Sequence, residues 1–246
     1  MEDTLTMAAK GRRDEIHVWR SWVETSSSVV AGVEESLSGG ERSRAANFFH
    51  KEDRSRYVFS KGLLRQILAT YLAVRPKDVI FCTNEFGKPF LDSQFDSSGI
   101  YFNVSHSQDL VVIAVAFDRD VGVDVEFVRA IGDFESIAER CFTNFERELV
   151  AADPDSLNSF FRCWTRKEAF VKAIGKGFSV PLNSFNASPP SGTTSGRLHP
   201  ISDESSAKMW WVTDVNVPDR YHCALVNEGD MPTISYGEWP VRSTRF

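Results

Sequence analysis

Asp124 and Glu126 stand two residues apart in the run Val121-Gly-Val-Asp-Val-Glu126. Period-two alternation puts both on one face of a strand and Val123, Val125 and Phe127 on the other. Two carboxylates sharing a strand face repel each other unless a cation lies between them. Further along, Trp164-Thr-Arg-Lys167-Glu168-Ala-Phe-Val-Lys172 falls within a helix expected from Ser156 to Ile174. At about 100° per residue, Phe160, Phe161, Trp164, Val171 and Ile174 form an apolar face, and Lys167 and Glu168 fall inside that sector. Charged groups at core-facing positions are costly unless paired or bound to a metal. Lys172 lies one helical turn beyond Glu168. If Glu168 packs against the strand face, three carboxylates meet, a donor set suited to an oxygen-seeking ion such as Mg2+. Lys167 and Lys172 would then flank a ligand phosphate. Each half alone has a plain reading, a solvated strand face and an ion-paired surface helix. Their pairing points to a site.

The scaffold that must bring them together is bounded by the totals. At 246 residues the chain suffices for one large or two small domains. A composition of 42% apolar and 25% charged residues is that of a soluble globular protein. The net charge of −6 argues against a general nucleic-acid binder, which needs a basic surface. Cys82, Cys141, Cys163 and Cys223 form no Cys-x-x-Cys pair, so reduced thiols are expected rather than a disulfide or zinc framework. The Met-Glu-Asp start has no basic-then-apolar leader, and Leu110–Phe117, the longest apolar run, is too short to cross a bilayer. A cytoplasmic protein is expected, with no membrane partner.

Residues 1–15 are polar and expected to be loose. Ile16–Val23 reads as a strand, and Val29–Leu37 as a short helix stopped by Gly39-Gly40. A helical region runs from about Glu41 to Leu72 with a break near Lys51–Arg54. It is locally basic at Arg42, Arg44, Lys51, Arg54, Arg56 and Lys61, where a solvated face is the plain reading. Phe86-Gly-Lys88-Pro89 marks a turn. Ile100–Val104 is a strand entering a loop at Ser105-His106-Ser107, and Leu110–Phe117 is a buried strand. A hairpin loop at Asp118-Arg-Asp120 is expected to lay the Asp124 strand beside it. Phe134–Cys141 reads as a helix, Thr143-Asn-Phe-Glu146 as a capping box, and Gly175 as the stop of the central helix. Asn186–Ser206 is expected to be a long loop, Met209–Val217 with Tyr221–Val226 a hairpin, and Thr233–Tyr236 a last strand.

The two opening stretches resemble the Sfp-like phosphopantetheinyl transferases. That family carries a (Val/Ile)-Gly-(Val/Ile)-Asp-(Val/Ile)-Glu strand followed by Trp-x-x-Lys-Glu-(Ala/Ser)-x-x-Lys. Val121–Glu126 and Trp164–Lys172 fill both patterns, and Lys88-Pro89, Asn103–Ser107 and Gly175–Leu182 extend the resemblance over most of the chain. The resemblance implies an α+β fold of two similar α/β sandwich-like halves related by a pseudo-twofold. The halves would be residues 1–118 and 119–246, with the active site in the cleft between them. It implies transfer of 4'-phosphopantetheine from coenzyme A to a serine hydroxyl of apo acyl, peptidyl or aryl carrier proteins, with adenosine 3',5'-bisphosphate leaving.

By that resemblance Asp124, Glu126 and Glu168 would hold Mg2+. Glu168, or a water it holds, would be the base, with Glu146 the second choice. Lys172 and Lys167 would stabilise phosphate charge. Ser105 and His106 would meet the pyrophosphate, Lys88 and Pro89 would line the adenine end, and Arg42, Arg44 and Arg56 would meet the 3'-phosphate. A monomer is implied. Periodicity alone gives only an α+β protein of one or two domains. A Mg2+-dependent coenzyme A phosphohydrolase and a non-catalytic coenzyme A- or carrier-binding module are the rival readings.

Overall fold

The computed structural model describes residues 11–24, 27–190, 192–200 and 208–239. The stretch expected to be loose falls mostly outside these residues. Strand β1 (Glu15–Trp22) is followed by helices α1 (Ser27–Glu34), α2 (Gly39–Ala46) and α3 (Lys51–Leu72). Short β2 (Phe81–Thr83) and β3 (Pro89–Leu91) precede the long strands β4 (Ile100–Ser107), β5 (Leu110–Phe117) and β6 (Val121–Phe127). Helices α4 (Phe134–Cys141), α5 (Asn144–Ala152) and α6 (Ser156–Ile174) come next. The chain then forms β7 (Phe185–Asn186), β8 (Ser195–Arg197), β9 (His199–Pro200), β10 (Trp210–Asp214), β11 (Tyr221–Glu228) and β12 (Thr233–Glu238). The expected 186–206 loop therefore holds β8 and β9. Residues 201–207 of it lie outside the described chain.

Two four-stranded sheets form, in the orders β12-β1-β5-β4 and β6-β11-β10-β8. They share a core in which Ile16, Val18, Val112, Ala114 and Ala116 of the first meet Val121, Val123, Val125, Cys223 and Leu225 of the second. The opposite face of the first sheet buries Trp19, Val111, Ile113 and Val115 against Val58, Phe59, Leu63 and Ile67 of α3. The opposite face of the second buries Ala224, Val226 and Trp210 against Ala169, Phe170 and Ala173 of α6. Each half is thus a sheet with one long helix on its outer face, the α+β plan that the resemblance implies.

Two expectations are corrected. Both edges of β5 are taken, by β1 and by β4, so no edge is left for β6. Asp118-Arg-Asp120 is therefore a crossing between sheets and not a hairpin. A division at 118/119 is crossed by β12, which returns to the first sheet and pairs parallel with β1.

Gly122 fixes how closely α6 approaches β6. A Cβ there would stand 2.1 Å from the carbonyl oxygen of Ala169 and 2.3 Å from the amide nitrogen of Ala173. Both are backbone atoms of the helix and cannot swing aside. Gly122→Ala is expected to cost about 1–3 kcal/mol or more through overpacking, read as a lower urea midpoint. It should also lower activity, because it pushes Glu168 away from Asp124.

Candidate transfer site between the two sheets

Strand β6 is the edge of its sheet, paired on one side only, with β11. Its free edge faces β4 in the interior, where unpaired amides are costly. The alternating side chains of β4 supply the missing acceptors. Val123 N–H donates to Asn103 Oδ1 (2.9 Å), Val125 N–H to Ser105 Oγ (3.2 Å) and Phe127 N–H to Ser107 Oγ (3.1 Å). The two serines in turn donate to the carboxylates of β6, Ser105 to Asp124 Oδ1 (3.0 Å) and Ser107 to Glu126 Oε2 (3.0 Å). The expected loop at Ser105-His106-Ser107 is therefore strand throughout.

Lys172, one turn past Glu168 on α6, reaches the same point. Its ammonium lies 2.6 Å from Asp124 Oδ1 and 3.0 Å from Ser105 Oγ. A serine hydroxyl has one proton and two lone pairs. Ser105 gives its proton to Asp124 and accepts from Val125 and Lys172, so it has no capacity left for a pyrophosphate. Its assignment as a coenzyme A contact is corrected: it holds Asp124 and Lys172 in register. Lys172 keeps a third N–H for a ligand.

Glu146 and Lys167 are corrected more sharply. Both side chains are fully buried, 2.7 Å apart, in an ion pair beneath α6. Lys167 spends its two other donors on the carbonyls of Leu182 (2.7 Å) and Phe185 (2.8 Å). Glu146 Oε2 accepts from the backbone amide and hydroxyl of Thr143, which forms the expected capping box, and Oε1 accepts from Ala187 N–H (2.8 Å). Lys167 has no donor left, and Glu146 is sealed in the interior with no exposed surface. The charge at a core-facing helix position is explained by pairing, one of the two outcomes open to it.

The basic stretch resolves by residue. His106 is exposed at the rim, and its pKa is pushed below the usual histidine value, by desolvation and then by Lys172, Lys61 and Arg56 nearby. Lys61 is itself lowered by burial, with Glu41 opposing and Arg44 and Arg65 adding to the shift. Lys61, which sequence reading left in a solvated face, thus joins His106 to the cations of α2 and α3. Its signal was helical spacing, Tyr57, Lys61 and Arg65 lying four residues apart on α3. Arg44 stacks 5.5 Å over the Tyr57 ring, and Arg56 reaches Asp109 at 3.4 Å. Arg42 instead donates to the carbonyl of Leu37. Glu41 closes a capping box with Ser38 and pairs with Arg65 at 2.6 Å, which neutralises its charge.

Lys88 turns toward backbone, donating to Ala173 O (2.6 Å) and Val121 O (3.4 Å), while Asn84 donates to Gly175 O (2.7 Å). Together they cap the C-terminus of α6. Pro89, beside Lys88, lines a recess with Tyr101, Asp118 and Ile174.

Among the described residues no three His, Cys, Asp or Glu side chains stand ready to hold an ion as they are placed. The Lys172 ammonium already sits on Asp124. The donor set nevertheless fits a hard cation. Asp124 Oδ2 is buried without a hydrogen-bond partner. Glu126 and Glu168 have carboxyl pKa values raised by burial and then by Asp124, with Lys172 pulling the other way. No hydrogen bond reaches Glu168 from the described residues, so its carboxylate is the uncommitted one.

Raised carboxyl pKa values mean that the folded state holds protons the unfolded state has released. Stability is then lost as pH rises from the unfolded value near 4.5 through the folded values. Without divalent cation, Glu168→Gln should raise Tm at pH 7–8 by a few degrees, and the gain should vanish below the unfolded carboxyl pKa. A calorimetric pH series checks this.

Residues 120–226 match the model of the 4'-phosphopantetheinyl transferase superfamily. Residues 20–118 match that of the N-terminal region of 4'-phosphopantetheinyl transferases. The 4'-phosphopantetheinyl transferase HetI of Nostoc sp. is 42% identical over 168 residues, covering 68% of this chain and 71% of HetI. The transferase Sfp of Bacillus subtilis is 35% identical over 61% of this chain and 65% of Sfp, just under two thirds of that protein. The L-aminoadipate-semialdehyde dehydrogenase-phosphopantetheinyl transferase of Xenopus laevis is 29% identical over 204 residues, 75% of this chain and 66% of its own. On the extent and identity of the HetI match, the chain belongs to the 4'-phosphopantetheinyl transferase family.

Proposed function

We propose that this protein transfers 4'-phosphopantetheine from coenzyme A to a serine hydroxyl of an apo acyl or peptidyl carrier protein, releasing adenosine 3',5'-bisphosphate. The observation that carries the site assignment is the buried, unpartnered Oδ2 of Asp124, on the carboxylate whose charge is felt by both Glu126 and Glu168. Asp124, Glu126 and Glu168 would hold Mg2+, which when bound supplies positive charge to the pyrophosphate.

The remaining roles belong to the chain's own residues. Lys172, with one donor free, bonds a phosphate oxygen and offsets charge on the leaving side. His106, whose pKa is lowered by desolvation and then by the cations around it, donates a single hydrogen bond at the rim. Arg44, Arg56 and Lys61 form a cationic rim for the 3'-phosphate, whose charge they match. The carrier serine's oxygen forms a bond to the phosphorus bearing pantetheine. The bond from that phosphorus to the oxygen of the adenosine 5'-phosphate breaks. The serine's proton passes to Glu168, directly or through a water that it holds, because it is the one carboxylate of the three that accepts no hydrogen bond from a described side chain or amide. The protein is proposed to act as a monomer.

Nucleotide release separates this from its rivals. With Mg2+ and coenzyme A, adenosine 3',5'-bisphosphate should appear only when apo carrier is added. Release at the same rate without carrier would mean a phosphohydrolase. Binding of coenzyme A with no release for either peptidyl or fatty-acid carriers would mean a binding module.

A further inference from the structure

We propose that Ser107 is a positioning residue for Glu126, and that the β4–β6 stitch doubles as the device that aims the acidic site. The inference rests on the metal reading above and deepens it. Three side chains of β4 cap three amides of β6, but they are not equivalent. Asn103 touches only the backbone, at Val123 N–H. Ser105 and Ser107 each accept one amide and donate their single proton to the carboxylate of the preceding β6 residue. Ser105 is additionally tied to Lys172, so its removal would disturb several partners at once. Among the described residues the Ser107 hydroxyl has two partners, Phe127 N–H and Glu126 Oε2, both on β6.

The geometry has a directional consequence. The Ser107 hydroxyl accepts from Phe127 N–H and has its proton left for Glu126 Oε2, 3.0 Å away. That bond fixes the Glu126 rotamer and leaves Oε1 as the oxygen free for a ligand. Groups that orient a ligating side chain in this way commonly matter by about 10–100-fold in metal affinity or activity. Alanine at 107 frees the Glu126 side chain to rotate, whereas threonine keeps the hydroxyl and suits a strand.

The test titrates Mg2+ alone against the thermal transition of the full chain, for the parent, Ser107→Ala, Ser107→Thr and Asn103→Ala, with transfer kinetics alongside. Ser107→Ala should raise the half-saturating Mg2+ concentration by about 10-fold or more and lower kcat, leaving KM for coenzyme A within about 2-fold. Ser107→Thr should restore both. Asn103→Ala should lower Tm without moving the Mg2+ midpoint. Should Ser107→Ala not fold, Ser107→Cys, of similar size but a weak donor, gives the same comparison. A parent that responds to Mg2+ beside a Ser107→Ala that responds identically would overturn this inference alone. A parent whose stability and activity ignore Mg2+ would overturn the metal reading and this inference with it.

Discussion

Lys167→Ala is expected to cost about 3–5 kcal/mol of folding stability, because it strands the Glu146 carboxylate in the interior with its charge uncompensated. The pair is fully buried at 2.7 Å, and every donor of Lys167 is used within the fold. Removing Lys167 also orphans the carbonyls of Leu182 and Phe185, which tie the chain after α6 to the helix. Urea denaturation of the alanine variant measures the loss. The double variant Lys167→Met with Glu146→Gln should recover most of it, since a buried pair exchanged for neutral groups of similar size is often close to neutral. A Lys167→Ala protein as stable as the parent, but with a raised KM for coenzyme A, would instead make Lys167 a phosphate ligand.

Glu168→Gln should reduce kcat by about 10²–10⁴-fold, the range for loss of a general base, with KM for coenzyme A little changed. The same variant is expected to be more stable than the parent without divalent cation. That combination marks a group held in a costly state for function. Uniform losses in stability and activity would point to a structural carboxylate.

Much of this was legible in the sequence because it is local. Alternation put Asp124 and Glu126 on one face, Thr143 and Glu146 announced their capping box, and Gly175 stopped α6 in a left-handed turn. Helical periodicity placed Lys167 and Glu168 in a core-facing sector, and the structure separates them. Lys167 goes inward to Glu146, while Glu168 stays half-buried on the side of Asp124. No periodicity could make that distinction, because it depends on Glu146 arriving from α5.

What stayed illegible is where side chains from distant elements meet. Asn103, Ser105 and Ser107 read as a strand running into a ligand loop. Their role as acceptors for the β6 edge exists only once two sheets are packed face to face. Lys88 likewise read as a ligand residue and became a helix cap, because the end of α6 falls within its reach. The missed sheet crossing after β5 has the same origin: whether a strand's edges are already occupied cannot be seen along the chain.

The most direct test is the intact mass of an apo carrier domain incubated with this protein, coenzyme A and Mg2+, with Glu168→Gln and a carrier lacking the acceptor serine alongside. The expected result is a phosphopantetheine-sized gain that needs Mg2+, the acceptor serine and Glu168. The same gain from Glu168→Gln at the parent's rate would contradict the assignment of the β6–α6 carboxylates as the transfer site.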